Sequence, residues 1–201
     1  MELHEVIRRR AMVRSFAADP IDPGVVSTLL EAALRAPSAG HTAGTAWVVL
    51  TGSAETAQYW DATTDQAWRA TSSRAEGLRR APVILLAYAS AEAYVSRYAE
   101  ADKADPELGS TAQAWPVPYW TGDAAFGVMT VLLAAVDAGL GACVLGNFRG
   151  EEGLGRNLGV PPEWRLFCAV LVGYADGDDH RSPSLDRTVP EPGQRIHWGG
   201  W

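Results

Sequence analysis

The sequence predicts an α+β fold in which one sheet of four or five strands, with helices on both faces, surrounds a buried central helix. Three observations support this prediction. The 201 residues suit one domain with a sizeable core, because 47% are apolar and 20% charged. Short apolar runs typical of buried strands alternate with segments of helical periodicity. One helical segment, 124–138, is apolar on every face and is therefore expected to be buried all round.

The first elements are two helices and a strand. Apolar residues recur at the three- and four-residue spacing of a helix over 2–11. Asp22 is expected to cap a second helix over 23–36, with a proline in its first turn. The run at 46–51 is short and apolar, which predicts a buried strand.

The middle of the chain predicts a polar helix, a strand and another helix. Ser53 is expected to cap a long helix that reaches about Arg74. A second buried strand is predicted over 82–88, followed by a helix over 91–103. We find no internal repeat and no low-complexity linker, so the sequence predicts a single domain over 1–201.

The last elements begin with the central helix, which Asp123 is expected to open. Strands are predicted at 142–145 and 165–174, on either side of a short helix at 151–158. The tail, about 176–201, is rich in proline, glycine and charge but ends in two tryptophans among its last four residues. Such an ending is expected to pack on a neighbouring surface, which a second subunit could provide.

Composition excludes several functions. A net charge of -7 and a pI of about 5.1 argue against a nucleic-acid-binding protein. Cys143 and Cys168 lie in apolar runs and are predicted to be buried thiols rather than a disulfide or metal site. The N-terminus has no signal-peptide pattern, and the longest apolar run, 124–136, is shorter than the roughly 20 residues that a membrane span needs. A cytoplasmic protein is expected.

Three stretches are candidates for a binding site. Arg8, Arg9, Arg10 and Arg14 form a basic cluster, which suits either an anionic ligand or a solvated face. The small and polar loop at 37–45 suits either a plain connection or a ligand that lies against the main chain.

The third candidate is the strap at 115–120, where two prolines separate Trp115 from Tyr119 and Trp120. It suits either a lid on the core or an aromatic wall for a flat ligand.

No arrangement typical of protein-based catalysis accompanies these stretches. The serines lack a nucleophile-elbow context, the four histidines lack metal-ligand spacing, and no phosphate-binding glycine fingerprint follows the first strand. The features that are present, a basic cluster, a glycine and serine loop, a glycine-rich turn and several aromatics, suit a bound cofactor. No catalytic side chain is therefore predicted, and the cofactor is expected to carry the chemistry.

Five stretches, in this order, resemble the FMN-dependent nitroreductase family along almost the whole chain. They are 10–16, 30–40, 123–141, 145–148 and 158–174. The resemblance implies a nitroreductase-like fold with a four- to five-stranded mixed sheet and a domain-swapped homodimer with two FMN sites at its interface. It also implies ping-pong hydride transfer from NADPH or NADH through FMN to a nitroaromatic, quinone or other planar acceptor. No nucleic acid, membrane or metal is implied.

Carried over residue by residue, the resemblance implies a set of cofactor contacts. Arg10 would bind the FMN phosphate, with Ala11 and Met12 beside it, and Arg14 would lie near the polar edge of the isoalloxazine. The remaining cofactor-binding positions are Pro37, Ser38, Ala39, Gly40 and His41 in the loop, Leu145, Gly146 and Asn147 in the turn, and Arg187 in the tail, with Arg195 as its competitor. The strap would supply the substrate pocket with Trp115, Tyr119 and Trp120.

Four positions depart from the family's usual residues. Ala11 and Met12 stand where an arginine and a serine are common, which removes two phosphate-side donors. Ala43 stands where the family often has glutamine, and Thr45 where it often has tryptophan or proline. Two alternative functions therefore stay open: a biosynthetic flavin dehydrogenase or oxidase that acts on a pathway small molecule, and a flavin-binding protein with little turnover.

Overall fold

An antiparallel sheet of four strands forms the middle layer of the fold, and its strands are the apolar runs of the sequence. The computed structural model describes residues 1–103, 105–180 and 182–201, so that Arg181 of the predicted tail lies outside the described residues. The strands are β1 (Thr45–Thr51), β2 (Val83–Ala89), β3 (Gly141–Leu145) and β4 (Arg165–Gly173). They lie in the order β1-β2-β4-β3.

The ladders between these strands are all antiparallel, whereas a mixed sheet was predicted. Among the described residues the sheet has one parallel contact. That contact is an isolated bridge between Met12 and Ala142 of β3. Next to it, the Val13 N–H donates to the Ala142 carbonyl at 2.9 Å. These bonds hold the segment after α1 against the β3 edge of the sheet, and they thereby position the end of the basic cluster there.

Eight α-helices of the described chain flank the sheet. They are α1 (Leu3–Arg9), α2 (Pro23–Leu34), α3 (Gly52–Thr63), α4 (Gln66–Thr71), α5 (Ala75–Arg79), α6 (Ala91–Ala99), α7 (Tyr119–Asp137) and α8 (Glu151–Asn157). The predicted cap of α2 is confirmed, since the Asp22 carboxylate accepts from the Gly24 N–H at 2.7 Å.

Two apolar cores lie on the two faces of the sheet because alternate residues of β2 point to opposite sides. Val83, Leu85 and Ala87 face α2 and α7, whereas Ile84 and Leu86 face the side of α3, α5 and α8. Every residue of β2 is buried. The layered α+β fold that the sequence predicts is confirmed, and so is the burial of the two free cysteines.

The predicted helix over 53–74 is wrong, because the segment is divided into α3, α4 and α5. Thr64 and Asp65 are extended, and the Asp65 carboxylate accepts from the Trp68 N–H at 2.7 Å to cap α4. Ser53 does not cap α3. The helix begins at Gly52, and the side chain of Thr51 at the cap position makes no capping hydrogen bond. Because the Asp65 carboxylate binds a free N–H group at the start of α4, the preceding helix ends earlier than predicted.

The central helix α7 also differs from its prediction, since it begins at Tyr119 rather than after Asp123. Two of its residues, Phe126 and Met129, are 53% and 41% exposed, so burial all round is wrong for a single chain. At 19 residues, with a mean hydropathy of 1.3 in its most apolar window, α7 is the one helix of the described chain that could cross a membrane by length and composition. It packs against α1, α2 and all four strands, as core helices of soluble proteins also do.

Candidate functional site

The basic cluster divides into cations with different surroundings. Arg8 and Arg9 are exposed in the last turn of α1, and Arg9 pairs with Glu5 at 3.4 Å. Arg10 is the first residue after α1 and is half-buried. Arg14 is also half-buried, and its guanidinium donates to the Met12 carbonyl at 3.2 Å.

Half-buried arginines that lack a carboxylate partner mark one part of the molecule. Of the six half-buried arginines in the described chain, Arg69, Arg80 and Arg97 form ion pairs. The other three are Arg10, Arg14 and Arg74, none of which forms an ion pair with a described carboxylate. Removing a cation from water without a counter-charge is unfavourable, so these three side chains suit an anionic ligand.

Arg74 was not predicted from the sequence, and the structure places it beside Arg14. Both line a cavity of about 160 Å³, together with Ser73, Asp179 and His180. Burial raises the pKa of the Cys143 thiol, and so does the Asp179 carboxylate, whereas Arg14 and Arg74 oppose that rise. The signal in the sequence was the run Ser72-Ser73-Arg74, which the prediction of one long helix concealed.

The guanidinium of Arg80 is not available to a ligand, because other groups of the protein already bind it. Its guanidinium donates to the Phe16 carbonyl at 2.8 Å and the Ser15 hydroxyl at 3.1 Å, and it pairs with Asp176. The Asp178 N–H, then Ser15 and Arg80, lower the pKa of the Asp176 carboxyl. This network fastens the start of the tail to the basic segment.

The loop after α2 is held by contacts on both of its sides. The Ala39 N–H donates to Asp123 Oδ2 at 2.8 Å, and Arg97 donates to the Gly40 carbonyl at 3.0 Å. The Ser38 hydroxyl accepts from the Ala43 N–H at 3.0 Å. His41, at a φ of 55°, and Ala43, at 53°, adopt the left-handed backbone region that residues other than glycine rarely adopt. The backbone is therefore fixed in one unusual shape before any ligand arrives.

Asp123 holds this loop, a role that sequence analysis missed by assigning it as a helix cap. It is 5% exposed and also accepts from the Tyr94 hydroxyl at 2.7 Å. Burial, and then this bond to a carboxylate, raise the pKa of Tyr94. Asp123 lines a cavity of about 110 Å³ together with Pro37, Ser38 and His41.

The three rings of the predicted aromatic strap differ in their surroundings. Trp115 is 8% exposed, lies edge-on to Tyr94 and Tyr98, and donates from Nε1 to the Leu108 carbonyl at 2.9 Å. Tyr119 and Trp120 lie in the first turn of α7, where Tyr119 is 44% exposed. Trp115 thus packs as a core residue, and the other two rings are the ones open to a ligand.

The turn after β3 carries the predicted residues Leu145, Gly146 and Asn147 beside a third cavity. This space of about 280 Å³, which we call the α3 cavity, lies between the turn and the residues from Tyr59 to Trp68. The Tyr59 hydroxyl donates to Asn147 Oδ1 at 3.3 Å, and burial raises the pKa of Tyr59 to about 12. Gly146 is exposed, so its main chain is open to a ligand.

The tail does not bring its arginines to these groups in one chain. Arg187 and Arg195 are exposed, and neither forms an ion pair with a described residue. The loop, the turn and the basic segment line three different cavities. Within one described chain the predicted cofactor residues therefore form separate groups, and no metal-binding cluster of histidine, cysteine or acidic residues accompanies them there.

Comparison with known proteins agrees with the resemblance in the sequence. Residues 7–174 match the model of the nitroreductase family. A protein described as NADH dehydrogenase from Thermus thermophilus is 26% identical over 198 residues, which cover 90% of this chain and 91% of that protein. An Archaeoglobus fulgidus protein described as NADH dehydrogenase/NAD(P)H nitroreductase is 32% identical over 101 residues. That match covers 49% of this chain and 54% of the Archaeoglobus protein, so this chain spans about half the length of that relative.

Solved structures share the fold at low sequence identity. A Desulfovibrio desulfuricans protein described as a nitroreductase in complex with FMN has a TM-score of 0.65 and 21% identity. The match covers 96% of this chain and 98% of that one. At this identity the likeness concerns the fold alone.

Proposed function

This chain belongs to the nitroreductase family, and from that premise we propose that it is an FMN-dependent oxidoreductase. It transfers hydride from NADPH or NADH, by a ping-pong scheme, to a nitroaromatic, quinone or other planar acceptor. The observation that carries the proposal is that three half-buried arginines, Arg10, Arg14 and Arg74, form no ion pair with any described residue in a chain of net charge -7.

The chemistry of this donor set fits a flavin phosphate. A guanidinium presents a fork of N–H donors that matches phosphate oxygens, and Arg10 has no competing carboxylate among the described residues. We propose Arg10 as the main phosphate ligand, with Arg187 of the tail completing the site. Arg14 and Arg74 would lie toward the polar edge of the flavin ring.

FMN, when bound, supplies the two-electron chemistry, and the chain's own residues prepare the place for it. A cation at Arg14 would stabilise negative charge that develops at the pyrimidine edge. The fixed loop at Ala39 and Gly40 and the open main chain at Gly146 would orient the ring system without rearrangement. Tyr119 and Trp120 would border the acceptor.

We propose a domain-swapped homodimer, because the predicted cofactor residues line separate cavities in one chain. Two unburied apolar surfaces support this assembly. On α7, Phe126 and Met129 are exposed, and in the tail Trp198 is 92% exposed and Trp201 fully exposed. A groove of about 970 Å³ along α2 and the end of β1 is large enough to receive such a tail from a second chain. A cytoplasmic location is part of the same proposal.

The visible spectrum of the purified protein tests the flavin proposal. We expect a yellow protein with FMN-like absorbance that NADPH or NADH bleaches in the absence of oxygen. A colourless protein that takes up no added FMN would contradict the proposal. Light scattering after gel filtration tests the dimer separately, and a species of twice the 21.5 kDa chain mass is expected.

Replacement of Arg10 tests the phosphate assignment. Arg10→Ala should weaken FMN affinity by about 1.5–3 kcal/mol, the usual worth of a charge-assisted contact. Fluorescence titration of the flavin-free protein measures this loss, and Arg9→Ala is the matched control because Arg9 is exposed and already paired with Glu5. Unchanged affinity in Arg10→Ala would move the phosphate to Arg8, Arg9 or Arg187.

A flavin-binding protein with little turnover is the second candidate, and Met12 favours it. The family's usual serine at that position would offer a hydroxyl, whereas Met12 packs against both apolar cores. The adjacent Ala11 is exposed and offers no side-chain donor. Bound FMN without steady-state turnover across a panel of acceptors would favour this candidate. Flavin reduced by a pathway compound but not by NADPH or NADH would instead favour a biosynthetic dehydrogenase or oxidase.

A further inference from the structure

Aromatic side chains of α3 and α4 line the α3 cavity. Trp60 and Trp68 lie nearly parallel, with ring centroids 5.9 Å apart and 14° between their planes. Tyr59 meets Trp60 edge-on at 4.9 Å. The volume of about 280 Å³ exceeds the roughly 150 Å³ that suffices for benzene in an apolar protein cavity. A single-ring aromatic molecule can therefore be accommodated, with space for a substituent.

The hydroxyl groups around the α3 cavity already donate hydrogen bonds to other groups of the protein. The Tyr59 hydroxyl donates to Asn147 Oδ1, and the Thr63 hydroxyl donates to the Tyr59 carbonyl at 2.7 Å. The Thr64 hydroxyl donates to the Trp60 carbonyl. The hydroxyl hydrogens around the cavity are thus already engaged, which leaves the N–H groups of the indole and the amide to be considered.

Two such N–H groups are buried without an acceptor among the described residues. They are Nε1 of Trp60, a residue that is 2% exposed, and Nδ2 of Asn147. Both residues line the α3 cavity. A buried N–H group without an acceptor is unfavourable, so the site would be stabilised by a ligand that supplies oxygen acceptors.

We propose that the α3 cavity binds a single aromatic ring that carries an oxygen acceptor, such as a carboxylate, whose oxygens receive the N–H groups of Trp60 and Asn147. Both donors are buried, so a ligand reaches them only when neighbouring side chains move. Phe148 and Arg149 line the cavity and are exposed, and Arg149 pairs with Asp65. A role of this ligand as electron acceptor rests on the proposed flavin function, whereas its binding does not.

Three probes of similar size test the chemistry of the site. Benzoate carries both the ring and the acceptor, benzylamine replaces the acceptor by a cationic donor, and cyclohexanecarboxylate lacks the aromatic ring. Titration calorimetry of the purified protein should show benzoate binding at least about tenfold more tightly than either of the others. Benzylamine that binds as tightly as benzoate, or no binding of benzoate, would overturn the proposal.

Two substitutions then locate the binding. Asn147→Asp keeps the side-chain shape but replaces the donor by an anionic acceptor, and it should weaken benzoate binding by more than about tenfold. Trp60→Phe removes the N–H group and keeps an aromatic ring, with an expected loss of about three- to tenfold. The matched control is Trp164→Phe, the same change in an indole that lines a different cavity, and it should not alter the affinity.

Unchanged benzoate affinity in Asn147→Asp and Trp60→Phe would overturn the proposal. Circular dichroism checks that each variant is folded, and Asn147→Asp alone decides the question if Trp60→Phe does not fold.

Flavin content, measured by absorbance on the same samples, separates this inference from the proposed function. Protein that binds benzoate but takes up no FMN would contradict the flavin function and leave the cavity assignment standing. Benzoate that binds only flavin-free protein and is displaced by added FMN would assign the cavity to the cofactor and overturn the inference.

Discussion

The loop at 37–44 and the turn at 145–148 are both predicted to meet one flavin, yet the chain holds them in opposite ways. The loop is fixed by bonds from Asp123, Arg97 and Ser90 and contains strained residues. In the turn, Asn147 shares one bond of 3.3 Å with Tyr59, and Phe148 is 95% exposed. The loop therefore has its final shape before a ligand binds, whereas the turn has hydrogen-bond donors that a ligand could satisfy.

The largest effect is expected where the loop is fastened. Asp123→Ala leaves the Ala39 N–H and the Tyr94 hydroxyl without their acceptor inside the protein, and should lower the free energy of unfolding by about 3 kcal/mol. Urea unfolding measures this change. Asp61→Ala is the control: its carboxylate is 68% exposed and pairs with Arg69, so a loss of at most about 1 kcal/mol is expected. Equal losses in the two variants would show that the loop is not fastened as described.

Adding one methyl group to each region gives the next largest contrast in stability. At Gly44 an added Cβ would lie 2.3 Å from Tyr94 Cε2, in a side chain with no exposure, so Gly44→Ala should cost about 2 kcal/mol. At Gly146 the nearest atom is Phe148 Cζ at 3.2 Å, in an exposed ring that can move. Gly146→Ala should therefore change the free energy of unfolding by less than about 0.5 kcal/mol.

The same glycine pair separates stability from cofactor binding. Gly146→Ala should weaken FMN affinity about tenfold despite its small effect on folding, because a Cβ keeps a ligand away from the main chain. Thermal unfolding and flavin titration on the same preparation provide both measurements. A Gly146→Ala variant that loses stability as Gly44→Ala does would remove the distinction between the two regions.

The last expected effect concerns two of the three buried tyrosines of the described chain, Tyr59 and Tyr94, at alkaline pH. Burial raises the pKa of Tyr59 to about 12, and burial and then Asp123 raise the pKa of Tyr94. A raised pKa in the folded state contributes stability that is complete below the unfolded value of about 10 and is lost as the pH rises above it. The free energy of unfolding should therefore decline above about pH 10.

Phenylalanine substitutions compare the two hydroxyls directly. Each variant should show a shallower alkaline decline than the unmodified chain. At pH 7 Tyr94→Phe should lose about 1.5 kcal/mol, because its bond is to a carboxylate, and Tyr59→Phe about 0.5–1 kcal/mol. Urea unfolding between pH 7 and 11 measures both. An alkaline decline that neither substitution reduces would contradict the assignment of these shifts.

The sequence alone was sufficient to predict the positions of the strands and the burial of the cysteines. The four strands were predicted to within one residue at each end, because runs of apolar residues have little alternative to burial. The α2 cap was predicted from Asp22 and Pro23, since a cap depends only on neighbours in the chain. The basic pair Arg10 and Arg14 was also identified, although its flavin roles stay predictions.

The sequence alone failed where a polar residue had a partner distant in the chain. Asp123 looked like a helix cap, but its carboxylate bonds Ala39, 84 positions away. Asp65 divided a helix that polarity suggested was continuous, and Arg74 was hidden inside that helix. The sequence could not distinguish Trp115 as a ligand wall from Trp115 as a core residue, because its four ring contacts, with Tyr94, Tyr98, Tyr119 and Trp120, depend on the fold.

Local pattern was enough to predict the α+β layers, the family and the presence of cations suited to a phosphate. The folded chain was needed to show which of those cations form no ion pair with a described carboxylate, that Asp123 fastens the loop, and that Trp60 and Asn147 have donors without a described acceptor. The two kinds of feature differ because hydrophobic burial follows from composition and period. Satisfaction of a charge or a donor depends instead on the particular atom that folding brings within about 3 Å of it.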